Sequence, residues 1–250
     1  MSGHSKWSSI KRQKGVNDAK RGAVFTKMGK EISVAARVGG ADPDANYRLR
    51  LAIDKARSVN MPAENIKRAI ERATGGDKAL EFEEIVYEGY GPGGVAILVE
   101  TATDNRNRTA ADVRSMFSKS GGQLAGSGSV AWQFEPRGVV SVDLGGTPAD
   151  DVALIAIDAG ATDVDTESDP LEVTTAPGDL EAVRTALEAA GLRIESAELT
   201  MQAKSPVEVD VDRARQNLRL IETLEDNDDV QRVTANFELP DEILAEAAVS

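Results

Sequence analysis

The sequence has no cysteine, one histidine and few aromatic residues. The first two scarcities exclude classes of function, and the third limits how the core is built. Without cysteine the chain has no disulfide, no thiolate nucleophile and no cysteine-based zinc or iron–sulfur site. A single histidine, His4, excludes a multi-histidine metal centre and, with no cysteine, a Cys–His pair. Aromatic residues make up 4% of the chain, so we expect a core built mainly from Ala, Val, Ile and Leu.

Long apolar runs and catalytic motifs are also missing. No apolar stretch approaches the roughly 18 to 20 residues of a membrane helix, and the start, MSGHSKWSS, has no hydrophobic signal core. The glycines of 89–94 lack the GK[ST] of a phosphate loop. The alternating acids of 163–169 lack the Gly and Glu of a calcium loop. We therefore expect a cytoplasmic protein with no enzymatic activity, no bound metal and no cofactor.

The charge that is present is divided unevenly along the chain. The net charge of −13 by itself argues against a nucleic-acid partner. Residues 1–76, however, hold 16 basic and seven acidic residues, a net charge of +9, which leaves −22 for residues 77–250. A run of Lys and Arg is often only a solvated helix surface, but so large a contrast between segments indicates separate roles. It favours a phosphate-binding arm at the N-terminal end.

Apolar residues at helical spacing predict three helices in the basic segment, at about 17–40, 44–59 and 62–76. Beyond it, the pattern of residues 137–206 predicts strand, helix, two strands, helix and strand, which is the ferredoxin-like order. The strands are expected at 139–142, 161–165, 171–175 and 192–200, and the helices at 148–159 and 179–190.

The segments on either side of that unit each supply half a domain. A strand is expected at 83–88, with turn residues at 89–94. Further strands are expected at 95–101, 130–134, 207–209 and 230–239, with helices at 110–120 and 212–225. We therefore predict an α+β fold with an N-terminal three-helix bundle and two ferredoxin-like α/β domains, the last inserted in the middle one. The predicted domains are a basic helical domain (1–76), a discontinuous α/β domain (77–136 plus 207–250) and an inserted acidic ferredoxin-like domain (137–206).

Basic residues crowd the first 37 positions, nine of them against two acidic residues. Lys and Arg neutralise phosphates, and an exposed Trp can stack on a base; packing of Trp7 against the helical bundle is an equally open interpretation. A second basic spot precedes a predicted helix N-terminus, where anions also bind, although solvation and capping explain it too. The candidate nucleic-acid-binding residues are Lys6, Trp7, Lys11, Arg12, Lys14, Lys20, Arg21, Lys27, Lys30, Arg106 and Arg108.

Several motifs resemble those of the YebC/PmpR family. They include MSGHSKW at 1–7, NYRLR at 46–50, YEGYGPGG at 87–94, TDNRNRT at 103–109 and GSV at 128–130. The resemblance implies a cytoplasmic protein with a helical bundle and two α/β domains, without catalytic residues or an obligate cofactor. It also implies a DNA-binding transcriptional regulator. Other members, including mitochondrial relatives, are translational activators at the ribosome, and some bacterial members relieve stalling at proline-rich stretches.

Residues and resemblance together lead us to expect a non-enzymatic, nucleic-acid-binding regulator of gene expression. The main hypothesis is a DNA-binding transcriptional regulator, and the alternative is a translation factor associated with ribosomal RNA and the ribosome. A third hypothesis is an interaction module whose basic face meets an acidic protein. DNA or ribosomal RNA is therefore the expected partner, and a membrane is not. Neither sequence specificity nor oligomeric state follows from the sequence.

Overall fold

The computed structural model describes residues 18–75 and 82–249. In this part of the chain, eight α-helices accompany two separate four-stranded antiparallel sheets, which is an α+β fold as predicted. The three predicted N-terminal helices are confirmed as α1 (Asp18–Gly39), α2 (Tyr47–Ser58) and α3 (Ala63–Thr74). None of the described helices is long and apolar enough to span a membrane.

One amide side chain joins the end of α1 to the start of α2. Asn46 is buried, and its Nδ2 donates to the carbonyl oxygens of Ala35 at 2.8 Å and Gly40 at 2.7 Å. Its Oδ1 accepts from the backbone N–H of Leu49 at 3.1 Å. Helix ends leave such groups unpaired, so Asn46 satisfies both termini at once. A Cβ on Gly39 would lie 2.6 Å from Asn46 Nδ2, which explains the glycine there.

Helices α1 and α3 pack directly against each other. Their buried positions carry small side chains such as Ala36, Ala69 and Ala73, which allow a close approach of the two backbones. The hydroxyl of Ser33 donates to the carbonyl oxygen of Ala69 at 2.9 Å in this contact. The expected aliphatic core is thus present in the described part of this segment.

The first sheet has the strand order β3-β1-β2-β8, where β1 is Glu83–Tyr90, β2 is Ala96–Thr103, β3 is Gln123–Leu124 and β8 is Val230–Ala235. Two helices, α4 (Arg106–Lys119) and α7 (Val211–Glu225), share its core. Val113 and Phe117 of α4 meet Leu218 and Ile221 of α7 and Ile97 of β2 in that core. Helix α1 contacts β2 and β8. The last helix, α8, covers Asp241–Val249.

Two strands predicted for this sheet are wrong. Residues Ala131–Gln133 form a short 3-10 helix, and Phe134 then starts a strand of the second sheet. Residues 207–209 form only an isolated bridge, between Val207 and Phe237. The eight residues of β1 pair with β2 along their full length and take the sheet position expected for 207–209. The sheet still has four strands, because β1 offers more ladder hydrogen bonds to β2 than residues 207–209, which follow a proline, would offer.

The second sheet confirms the ferredoxin-like order predicted for it. Its strand order is β5-β6-β4-β7, with two helices in the chain order strand, helix, strand, strand, helix, strand. Val140, Val152, Leu171, Val183 and Leu187 are fully buried in it. Its elements are β4 (Phe134–Asp143), α5 (Ala149–Asp158), β5 (Ala161–Asp165), β6 (Leu171–Thr175), α6 (Leu180–Ala189) and β7 (Arg193–Ala203).

The chain divides into two compact units. The described parts of the first are residues 18–49, 63–75, 82–135 and 202–249, and the second consists of 50–62 and 136–201. Within the second unit, ion pairs of Arg50 with Glu181 (2.9 Å) and of Arg184 with Asp54 (3.2 Å) connect α2 to α6. Most of the second sheet, within 136–201, thus lies in sequence between residues 63–135 and 202–249 of the first unit.

Candidate nucleic-acid interface

The predicted basic residues fall into three groups. Lys6, Trp7, Lys11, Arg12 and Lys14 lie outside the described residues. Lys20, Arg21, Lys27 and Lys30 lie on α1, and Arg21 is exposed. Arg106 and Arg108 lie in the first turn of α4. The structure brings Lys30 and Arg108 to the carboxylate of Asp229. Lys27 lies one turn before Lys30 on α1.

Two lysines of α1 bind the end of α7 and the turn that follows it. The ammonium group of Lys27 donates to the carbonyl oxygen of Glu225, the last residue of α7. Lys30 Nζ donates to the carbonyl oxygen of Asp228 at 3.0 Å and to the carboxylate of Asp229 at 2.5 Å. Cations at a helix C-terminus satisfy free carbonyl groups and interact favourably with the helix dipole. Burial lowers the pKa of Lys27, against the opposing effect of nearby carboxylates.

Asp229 is the centre of this contact. Its carboxylate is buried, and besides Lys30 it accepts from Thr109 Oγ1 at 2.7 Å, Arg108 Nη2 at 2.8 Å and Thr103 Oγ1 at 3.2 Å. We call these five residues the Asp229 cluster. Burial by itself would raise the pKa of Asp229, but the hydrogen bonds from Lys30, Arg108 and Thr109 lower it from 3.8 to about 2. The cluster thus ties α1 and α4 to the start of β8.

The TDNRNRT motif supplies three members of the cluster. Asn105 caps α4, because its Oδ1 accepts from the backbone N–H of Arg108 at 3.1 Å. Helix α4 begins at Arg106, four residues before the start predicted at 110, so Thr109 lies inside the helix and its hydroxyl donates to Asp229. Hydrogen bonds to Asp229 and Asp104 raise the pKa of Arg108, so its guanidinium stays charged.

Arg106 has a different environment. Its side chain is 68% exposed and lies 3.5 Å from the carboxylate of Glu83, which is itself 57% exposed. Exposed ion pairs of this kind contribute little to stability. The Arg106 guanidinium is therefore accessible to an external anion, whereas Arg108 is held between Asp104 (2.8 Å) and Asp229 (2.8 Å).

A second buried carboxylate organises the loop before β4. Glu88 is 5% exposed and accepts from the backbone N–H groups of Gly128 at 2.6 Å, Val130 at 2.7 Å and Ala131 at 2.8 Å. Burial would raise the pKa of Glu88, but the three N–H groups outweigh it and lower the pKa. Glu88 therefore holds this loop in one conformation.

Sequence reasoning missed both carboxylates. Residues 226–229 have ordinary turn composition, and nothing local distinguishes Asp229 from its acidic neighbours. Glu88 occupies an alternating strand position, where a charged residue usually faces solvent. The only signal was indirect: TDNRNRT and GSV are rich in donors that need acceptors once buried. In the described part of the chain, no three metal-ligating side chains come together as a possible metal site.

Comparisons with known proteins agree along the chain. Residues 5–76 match the model of the TACO1/YebC protein N-terminal domain, and residues 82–237 match that of the TACO1/YebC second and third domain. A "probable transcriptional regulatory protein" from Rubrobacter xylanophilus is 55% identical over 99% of this chain and 100% of its own length. One of the same name from Moorella thermoacetica is 55% identical over 98% of both chains.

A solved structure is similar as well. The crystal structure of a conserved hypothetical protein from Aquifex aeolicus has a TM-score of 0.84 and 44% sequence identity to this chain. It covers 91% of this chain and 94% of its own. The described fold is thus shared with a protein of known structure.

Proposed function

The chain belongs to the TACO1/YebC family, and from this premise we propose that it is a non-enzymatic regulator that binds DNA and controls transcription in the cytoplasm. The observation that carries the proposal is the net charge of +9 in residues 1–76 of a chain whose total is −13. The names of its relatives from Rubrobacter xylanophilus and Moorella thermoacetica support a regulatory role.

The uneven charge of the chain determines where a nucleic acid can bind. Basic side chains that neutralise phosphates release condensed counterions, which supplies affinity without sequence specificity. Residues 77–250, at −22, repel a polyanion. Duplex DNA is therefore drawn mainly to the basic N-terminal segment, and contacts elsewhere are limited to local basic sites.

The lysines of α1 divide between two tasks in this proposal. Lys27 and Lys30 already bind the end of α7 and Asp229, so they fix α1 in place. The segment before α1 and the first turn of α1 then supply the phosphate contacts. These contacts are assigned to Lys6, Lys11, Arg12, Lys14, Lys20 and Arg21, with Trp7 beside them and Arg106 as a separate accessible cation.

One experiment separates DNA from the ribosome as the target. A lysate treated with DNase is run on sucrose gradients at low and physiological salt, and purified protein is footprinted on promoter fragments in parallel. We expect sequence-selective promoter footprints and no co-sedimentation with ribosomal particles at physiological salt. Co-sedimentation that survives the nuclease, without footprints, would contradict the transcriptional role and support the ribosomal alternative.

A further inference from the structure

Two aromatic rings are exposed beside the loop that Glu88 holds. Trp132 is 67% exposed and Tyr90 is 36% exposed. Their polar atoms are already used: Tyr90 Oη donates to the carbonyl oxygen of Ser129 at 3.0 Å, and Trp132 Nε1 donates to the same oxygen at 3.1 Å. What remains accessible of the indole is therefore mainly its ring carbon surface, in a chain where aromatic residues are scarce.

The rings lie on a fixed support. Val130 and Ala131 directly precede Trp132. Their backbone N–H groups and that of Gly128 donate to the carboxylate of Glu88. An exposed side chain on a fixed backbone loses less conformational freedom when it binds a ligand than one on a mobile loop does. Preorganisation of this kind is typical of a binding site.

A cation adjoins the rings. Lys204 Nζ donates to the carbonyl oxygen of Trp132 at 2.9 Å, in an exposed position. Glu88, the carboxylate of β1 that holds this loop, is buried and its oxygens accept from three N–H groups, whereas the ammonium group of Lys204 is exposed. An accessible aromatic face next to an exposed ammonium group matches the two parts of a nucleotide, a flat base and a phosphate.

We propose that Tyr90, Trp132 and Lys204 form a platform on which an unpaired base of a single-stranded nucleic acid stacks, while Lys204 meets its phosphate. The inference rests on the proposed function and extends it from duplex to unpaired nucleotides. A single indole ring can stack on a base of any kind, because every base has a π-face. A protein is a less fitting ligand, because a stable protein interface buries about 800 Å² on each partner. The loop leading to Trp132, GGQLAGSGS at 121–129, carries mostly small or polar side chains.

The test measures affinity for a labelled oligoadenylate strand and for a strand of equal length with abasic sites. We expect Trp132→Ala to weaken oligoadenylate binding about tenfold and to leave the abasic strand unchanged. Trp132→Phe should keep most of the affinity, because it keeps a ring. Leu154→Ala is the matched control, since Leu154 is 62% exposed in the other compact unit. Thermal unfolding of each variant establishes that it is folded.

Fluorescence gives an independent reading. The chain has two tryptophans, so Trp7→Phe leaves Trp132 as the sole reporter, and oligoadenylate should quench its emission. An unchanged affinity in Trp132→Ala, or an equal loss on the abasic strand, would overturn the platform. Quenching by an apolar peptide but not by oligoadenylate would overturn it in favour of a protein ligand. If wild type binds duplex and the platform variants behave as wild type, only this inference fails; if wild type binds no nucleic acid, the proposed function fails with it.

Discussion

Replacing Asp229 with Ala should lower the free energy of unfolding by about 3 kcal/mol, because the change leaves Lys30 without its carboxylate in a largely buried site. The Lys30 side chain is 11% exposed, so water replaces the lost partner poorly. The hydroxyls of Thr103 and Thr109 lose their acceptor in the same step. Chemical denaturation of wild type and variant at neutral pH measures the difference.

The matched control is Asp228→Ala. Asp228 is the preceding residue, is exposed and contributes its backbone carbonyl oxygen to Lys30, which the substitution keeps. We expect a change below about 0.5 kcal/mol for this exposed position. Equal stabilities of the Asp229 and Asp228 variants would show that the Asp229 cluster does not hold α1 and α4 to β8.

The same residue gives a pH dependence of known sign. The pKa of Asp229 is about 2 in the folded protein and 3.8 without its partners, so its stabilising effect is complete above about pH 4. It is lost as the pH falls from about 4 towards 2, because the unfolded chain takes up the proton first. The stability difference between wild type and Asp229→Asn should therefore shrink over this range. A difference that stays constant between pH 5 and pH 2.5 would contradict the shifted pKa.

Replacing Glu88 with Ala should also cost about 3 kcal/mol, because three backbone N–H groups lose a charged acceptor and Val130 N–H is buried. Glu88→Gln should cost less. When the carbonyl oxygen of the glutamine side chain takes the position of Oε2, it still accepts from Val130 and Ala131. Only the hydrogen bond from Gly128 N–H is lost, because that group then faces the amide nitrogen, which is also a donor. Denaturant unfolding of wild type, Glu88→Gln and Glu88→Ala should give free energies of unfolding that fall in that order.

Glu84→Ala is the control for Glu88. Glu84 lies on the same strand, but it is exposed and pairs with Arg48 in an exposed ion pair, which contributes less than about 1 kcal/mol. If the Glu88 and Glu84 variants lose equal stability, the three N–H bonds do not fix the loop. The Glu88→Ala variant should in addition weaken oligoadenylate binding, since it frees the support of Trp132.

Helices and the second sheet were predictable because their signals are local. The glycines at 39–40 and 75–76 end periodic apolar segments, and the strand–helix alternation of 137–206 is a continuous stretch of chain. The first sheet was harder, because its strands come from both sides of that insertion. Strand β1 reaches β2 through the short connection 91–95, whereas Val207 comes from beyond the insertion, and nothing in its own sequence shows that it does not pair beside β2.

The site shows the same limit. Charge composition identifies α1 as basic, but it cannot tell a lysine that meets phosphate from one that meets a helix end of its own chain. Lys27 and Lys30 bind groups 198 and 199 residues away, at Glu225 and Asp229. The same holds for Arg108, which the sequence predicts as an anion ligand and which the structure pairs with Asp229.

The central claim is that the basic segment ahead of α1 contacts phosphates, and the salt dependence of duplex DNA binding tests it most directly. Each phosphate contact contributes about 0.9 to the slope of log affinity against log salt, so Lys11→Glu/Arg12→Glu/Lys14→Glu should lower the slope by about 3. The control is Lys67→Glu/Arg68→Glu/Arg72→Glu on α3, which changes the net charge equally at exposed positions. The account predicts a much smaller change for the control. An unchanged slope in the first variant, or equal losses in both, would contradict it.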